Sequence, residues 1–373
     1  MSSAVFALSI HADYKCRHSG VCCSTNWDVP VEVPIYRSLV DALHSGALRV
    51  APGAETLDPF IVEPDLPDDA GAIFERTDAG QCVFFERDSR LCVVHRDLGE
   101  GALAATCRHF PRLAVRDGRG TSITLSHFCP TAASMLFRDD VSLHVVTAPV
   151  AFPPGDYDGL DVNADDLPPL LTPTMLMDLD GYGAWERHMI ARCAAAPTPE
   201  VLLATLTRDA RELRGWKPGA MTLAAAVESL PAEFVHAERQ EFLAPSFALY
   251  TGVLGAVPDD FRPEPDEDGL DRAYEQLVRD EWSGFAVPLN RYVAAKAFAC
   301  WTAYQGRGVA SIVRGLESAL ALVRIEAARQ CRDARRALDA DLLLEAFRSA
   351  DFTLNHLAVG EDLADAWSRA ESE

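Results

Sequence analysis

Of the ten cysteines in this chain of 373 residues, seven lie in the first 129: Cys16, Cys22, Cys23, Cys82, Cys92, Cys107 and Cys129. Three chemistries gather thiols in this way: disulfide bonding, burial as small hydrophobes, and metal ligation. Disulfides fit poorly. The start of the chain, MSSAVFALSIHADYKC, has no basic segment before its short apolar run, and His11 and Asp13 interrupt that run, so no secretory signal is read and a reducing cytoplasm is the expected compartment. Cys22 and Cys23 are neighbours, with Cα atoms about 3.8 Å apart, inside the usual disulfide range of about 4.4–6.8 Å. Buried thiols explain isolated cysteines such as Cys193, Cys300 and Cys331, which sit in helical-looking sequence and are read as core.

They explain a cluster badly. Cys82 follows Gly80, Cys92 follows the turn-like RDSR, Cys107 precedes RHFPR, and Cys129 precedes Pro130, so most of the seven sit where the backbone can bend around an ion. Metal ligation by all seven is the resulting expectation. In an extended segment neighbouring side chains point to opposite faces, which would send Cys22 and Cys23 to two different centres unless only one of them is a ligand. Two four-ligand centres need one more ligand than the seven cysteines supply, leaving His18, His95 or His109 as candidates to complete the set. The spacings lack the paired C-x2-C of a zinc ribbon. Irregular thiolate spacing suits an iron–sulfur cluster, of the 4Fe-4S kind, and zinc is the alternative. Arg108, His109 and Arg112 in CRHFPR either offset the charge of a thiolate centre, hold an anionic substrate, or form surface ion pairs.

The order C-x5-CC, then GQCVFFERDSRLCVVHRDLGEGALAATCRHFPR, then SHFCPTAA resembles the YkgJ-type cysteine-cluster domain, a zinc- or iron-chelating module. Within that group it is most similar to the bacterial flagellin lysine-N-methylases, over roughly residues 14 to 137. The resemblance implies that the seven cysteines are metal or cluster ligands. It also implies a helical C-terminal part and methyl transfer from S-adenosylmethionine to a lysine of a protein substrate. One departure is that the family often carries a further cysteine before the CC pair, where this chain has RHSGV. No glycine-rich strand-to-helix fingerprint accompanies the methyl-transfer expectation, since GYG at 181–183 and GRG at 118–120 and 306–308 lack the third glycine. The non-enzymatic alternative is a zinc-binding structural or interaction module.

The elements that must position these residues divide by composition. Residues 1–147 are expected to form the cysteine-cluster domain, 148–173 a Pro/Gly/Asp-rich linker, and 174–373 a helical bundle; the whole is α+β, predominantly α. VPIYRSLVDALHSGAL reads as a helix with Pro34 in its first turn and Gly46 at its end. RLAVRDGRGTSITLSHF reads as a hairpin turning at DGRG, and VSLHVVTAP as a further strand. Beyond the linker, Thr172 and Pro173 are expected to start a helix that runs to Cys193. Ile312, Leu316, Leu320 and Val323 fall on one face of another. Lys296, in AAKAF, is expected to snorkel from an apolar face, and Asp180, Glu186 and His188 are not tied to any site by spacing.

A net charge of -22 repels a phosphate backbone, so nucleic acid is excluded as a partner. No window holds 18 uninterrupted apolar residues, so no membrane span is expected.

Overall fold

The computed structural model describes residues 4–369, apart from 26, 64–65, 67–68, 156, 158, 163–167 and 264–265. Helix far outweighs strand. The chain forms two compact units: residues 1–14, 113–128 and 132–373 make the first, and residues 15–112 with 129–131 make the second. These units do not follow the division at 147 expected from composition. Strand pairing is the reason, because the amino-terminal strand Val5–Leu8 runs parallel to Gly120–Leu125, with Val5 opposite Thr121, and antiparallel to Val145–Thr147, with Phe6 opposite Thr147.

In the first unit those strands belong to a five-stranded sheet completed by Arg112–Asp117 and, at its edge, Gly159–Asp161. The expected hairpin is present, with DGRG joining Arg112–Asp117 to Gly120–Leu125. Gly159–Asp161 falls in the segment read as linker. It pairs parallel with the strand at Ala114, and a Cβ on Gly159 would stand 2.1 Å from the Ala114 carbonyl oxygen, so only glycine admits that approach.

The helix expected to start at Thr172 starts later. Leu170–Thr172 pairs antiparallel with Met175–Leu176, Pro173 falls in the connection, and the helix Leu179–Ala195 is capped by Asp178, whose Oδ1 accepts the Gly181 N–H at 2.5 Å. The 26-residue helix Val309–Ala334 buries Ile312, Leu316, Leu320 and Val323, as its period predicts. Helix Ala286–Ala297 ends where Phe298 turns extended and Ala299 takes a positive φ of 53°. Around these helices Trp185, Tyr182, Trp282, Tyr274, Tyr292 and Phe347 fill the core. Among the described residues no helix is long and apolar enough to cross a membrane.

The second unit is smaller. Ala70–Phe74 pairs antiparallel with Pro30–Glu32 on one side and Phe60–Ile61 on the other. Helix Val33–Ser45 carries Pro34 in its first turn and ends on Gly46 at φ 76°, as the sequence predicts. Val31, Leu39, Phe60, Phe74, Val83 and Phe84 lie in its core. A two-stranded hairpin pairs Phe85–Glu86 with Leu91–Cys92, and the short helices Val93–Leu98 and Ala105–His109 follow.

Candidate metal centre

The CC pair sits on a single helical turn, Val21–Ser24, that begins at Gly20 with φ 77°. A Cβ on Gly20 would meet the Phe85 ring at 2.7 Å, so glycine is required both for the left-handed backbone and for the space. The turn is pinned from several sides. Thr25 Oγ1 donates to the Val21 carbonyl at 2.8 Å, and the Trp27 indole N–H donates to the Cys22 carbonyl at 3.2 Å. The Cys23 carbonyl accepts from the Cys82 N–H at 2.8 Å and from Arg76 Nη1 at 3.2 Å, while Arg76 Nη2 donates to the Trp27 carbonyl at 2.7 Å.

Five of the seven predicted cysteines, Cys22, Cys23, Cys82, Cys92 and Cys107, line one small cavity with Arg76 and an apolar collar of Val29, Phe74, Phe84, Val94 and Leu103. The cavity has room for about one water-sized sphere, about 10 Å³. Its sulfurs come from four places in the fold: the 21–24 turn, the segment after Gly80, the hairpin strand ending at Cys92, and the helix Ala105–His109. Cys22 and Cys23 share this cavity, contrary to the expectation that they face two centres. The expectation assumed an extended backbone; the helical turn after Gly20 puts both thiols on one side, with Sγ atoms 3.8 Å apart.

Cys16 is exposed and lies outside the cavity, with its sulfur accepting the His18 N–H at 3.4 Å. Cys129 belongs to the same unit and is buried, but it does not line the cavity, and neither do His18, His95 or His109. The arginine beside the thiols is Arg76, which the sequence did not single out. Arg112 instead donates to the Arg108 carbonyl at 3.3 Å. None of the ten cysteines is disulfide-bonded.

The thiols are electrostatically unequal. Hydrogen bonding to Cys23 lowers Cys22 from the ordinary thiol value and brings Cys92 down to about 7, with further support for Cys92 from the backbone N–H groups of His95 and Val94. Cys23 is raised well above the usual value by its hydrogen bonding with Cys22 and Cys92. Burial pushes Cys82 up to about 11 and raises Cys107 well above the ordinary thiol value.

Among the described residues no group of three or more His, Cys, Asp or Glu side chains is closed into metal-binding geometry. One sulfur pair of the set has the spacing that a soft divalent ion requires. A tetrahedron with Zn–S bonds of about 2.3 Å has S–S edges of about 3.8 Å, and the Cys22–Cys23 separation is 3.8 Å.

A second polar constellation, in the first unit, was not legible from spacing. Lys296 does not snorkel to solvent; its Nζ forms an ion pair with Asp351 Oδ1, and the Asp351 carboxylate is fully buried. Tyr292 Oη donates to the same oxygen at 2.8 Å, and the His127 backbone N–H donates to Oδ2. His127 Nε2 lies 3.3 Å from His11 Nε2, and both rings are buried. Ser126 Oγ and His356 Nε2 are 2.9 Å apart. Glu186 also has a partner that spacing concealed, Arg119 Nη1 at 3.1 Å, and His188 Nε2 lies 2.7 Å from Asp209. The only sequence signal for the Lys296 pair was a lysine within an otherwise apolar run in a chain with three lysines.

Comparison with protein-family models, curated proteins and solved structures finds no match for this chain.

Proposed function

We propose that the unit of residues 15–112 with 129–131 is a cysteine-ligated metal-binding module, in which four of Cys22, Cys23, Cys82, Cys92 and Cys107 hold one tetrahedral ion of the zinc type. The observation that carries this reading is the meeting of five thiols from four separate segments at one cavity of single-ion size. A bound ion would take up the negative charge of these thiolates and link the four segments, so its binding free energy would become folding free energy of a unit whose apolar core is small. The same thiols are the ligands available to an iron–sulfur cluster, but a cubane spreads its ligands over a larger volume than the 3.8 Å Cys22–Cys23 contact represents. Methyl transfer from S-adenosylmethionine to a lysine of a protein substrate rests on the sequence resemblance alone. Its test is binding of S-adenosylmethionine by the metal-loaded chain.

Metal analysis and a visible spectrum of protein purified without air test the module. About one zinc per chain in a colourless sample is the expected result. Iron with acid-labile sulfide and a broad visible absorption would replace the zinc ion by a cluster on the same thiols. A chain that folds and stays folded with neither metal, after growth with both supplied, would overturn the module.

A further inference from the structure

A largely apolar cavity of about 440 Å³ lies within the first unit and is lined by that unit alone. Its size falls in the range of about 300–1,000 Å³ typical of small-molecule sites. Two departures from regular backbone meet at its wall. Helix Ala286–Ala297 stops there: Phe298 is extended, Ala299 takes a φ of 53° that a residue with a side chain adopts only at a cost, and helix resumes at Thr302–Gln305. Phe298, Ala299 and Thr302 all line the space. From another direction, the helix Ala340–Phe352 passes into a π-turn over Thr353–Leu357, which supplies Leu354 to the same wall. Both kinds of irregularity concentrate at functional sites, where the surroundings hold an otherwise unfavoured backbone in place.

The wall selects an occupant by charge. Lys296 is the one ionised side chain among the lining residues, and its ammonium is answered by the Asp351 carboxylate, which Tyr292 and the His127 backbone N–H also hold. The two threonine hydroxyls are neutral and engaged: Thr124 Oγ1 donates to the Ala295 carbonyl at 3.0 Å, and the Thr302 hydroxyl bonds the Cys300 sulfur. Gln305, exposed to solvent, adds a neutral amide. Trp367 meets the space with its ring, since its Nε1 is shut off inside the protein, and stands beside Trp301 with ring centroids 5.9 Å apart. A charged occupant would exchange its hydration for an apolar wall that carries no unpaired counter-charge, a penalty that an uncharged one escapes.

We propose that this cavity is a binding site for a small, uncharged, predominantly apolar molecule, packed against Phe298, Trp301, Ile312 and Leu316. The Lys296–Asp351 pair serves the site by keeping its wall free of net charge. None of the clustered cysteines takes part, so the site stands or falls apart from the thiol centre.

1-Adamantanol, with 1-adamantanecarboxylate and 1-adamantylammonium as charged counterparts on the same compact cage, tests the proposal on the full chain by calorimetry and tryptophan fluorescence. The alcohol is expected to bind saturably at one site, about tenfold or more tighter than either ion. Ala319→Leu, on the helix Val309–Ala334, and Ala358→Leu, just beyond the π-turn, each enlarge a lining side chain from a separate part of the wall. Each is expected to weaken the alcohol about tenfold or more while keeping the wild-type circular dichroism, because the added methyl groups take up the ligand's space. Absence of saturable 1-adamantanol binding, equal or tighter binding of either ion, or wild-type affinity in both folded variants would each overturn the proposal.

Discussion

Cys22 Sγ lies 3.8 Å from Cys23 Sγ, on one helical turn, and both sulfurs face a cavity shared with Cys82, Cys92 and Cys107. Proximity of this kind between adjacent cysteines depends on Gly20, because a side chain there would be strained at φ 77° and would collide with Phe85. Cys92→Ser is therefore expected to lower zinc affinity by more than the roughly 10–100-fold that loss of a supporting hydrogen bond costs at a metal site, whereas Cys16→Ser, at an exposed sulfur outside the cavity, leaves it unchanged. Competition against a chromophoric chelator reads both. Equal affinities for the two variants would remove the cavity from consideration as the metal site.

Arg76 donates to the Cys23 and Trp27 carbonyls, and so ties the CC turn to the strand-side of the unit without touching solvent through its Nε. Arg76→Met retains most of the apolar stem and loses these bonds. The expected result is a fall of about 10–100-fold in metal affinity with all five cavity thiols still present by titration. Arg112→Met, whose guanidinium bonds the Arg108 carbonyl instead, is the comparison expected to retain affinity.

The Lys296–Asp351 pair makes a different prediction, about stability. Removing one member of a buried ion pair strands the other and costs about 3–5 kcal/mol, while replacing both by neutral groups costs far less. Lys296→Met is accordingly expected to destabilise the helical unit strongly, and Lys296→Met/Asp351→Asn to recover most of the loss, as read by urea unfolding. Tyr292→Phe, which deletes one hydrogen bond to the same carboxylate, should cost about 1.5–3 kcal/mol. Five of the six tryptophans lie in this unit, so intrinsic fluorescence follows it.

The sequence announced those elements whose signals are local. Pro34 and Gly46 bracket a helix, DGRG turns a hairpin, and Ile312 to Val323 keep a helical period, so each was legible. Elements fixed by distant partners were not. Val5–Leu8 reads as an apolar start of no particular kind until Gly120–Leu125 is found beside it, and nothing near Lys296 points to Asp351, 55 residues later in the chain. The thiol gathering was anticipated from residue types, but not its geometry. The left-handed Gly20 turns an assumed extended CC pair into a helical one, and Cys16 and Cys129 lie outside the cavity that the other five clustered cysteines join.

Acid sensitivity follows from the buried histidines of the helical unit. Burial lowers His11 well below the ordinary imidazole value, lowers His127, and brings His356 down to about 4; Asp351 opposes the shift of His356 and Lys296 reinforces it. A histidine whose folded value lies below its unfolded one binds its proton preferentially in the unfolded chain, so stability rises with pH across the interval between the two values. The contribution is complete above about pH 6.5 and is lost as the pH falls towards 4, on the order of 3 kcal/mol from His356 alone. Asp351, held well below the usual carboxylate range despite burial because Lys296 and His127 stabilise its charge, adds its own loss only at still lower pH. Urea unfolding followed by tryptophan fluorescence should therefore show a midpoint that declines steadily between pH 7 and pH 5, and His356→Gln should flatten part of that decline. A midpoint that stays level over that interval in the wild type would mean that these rings are not held neutral by the fold.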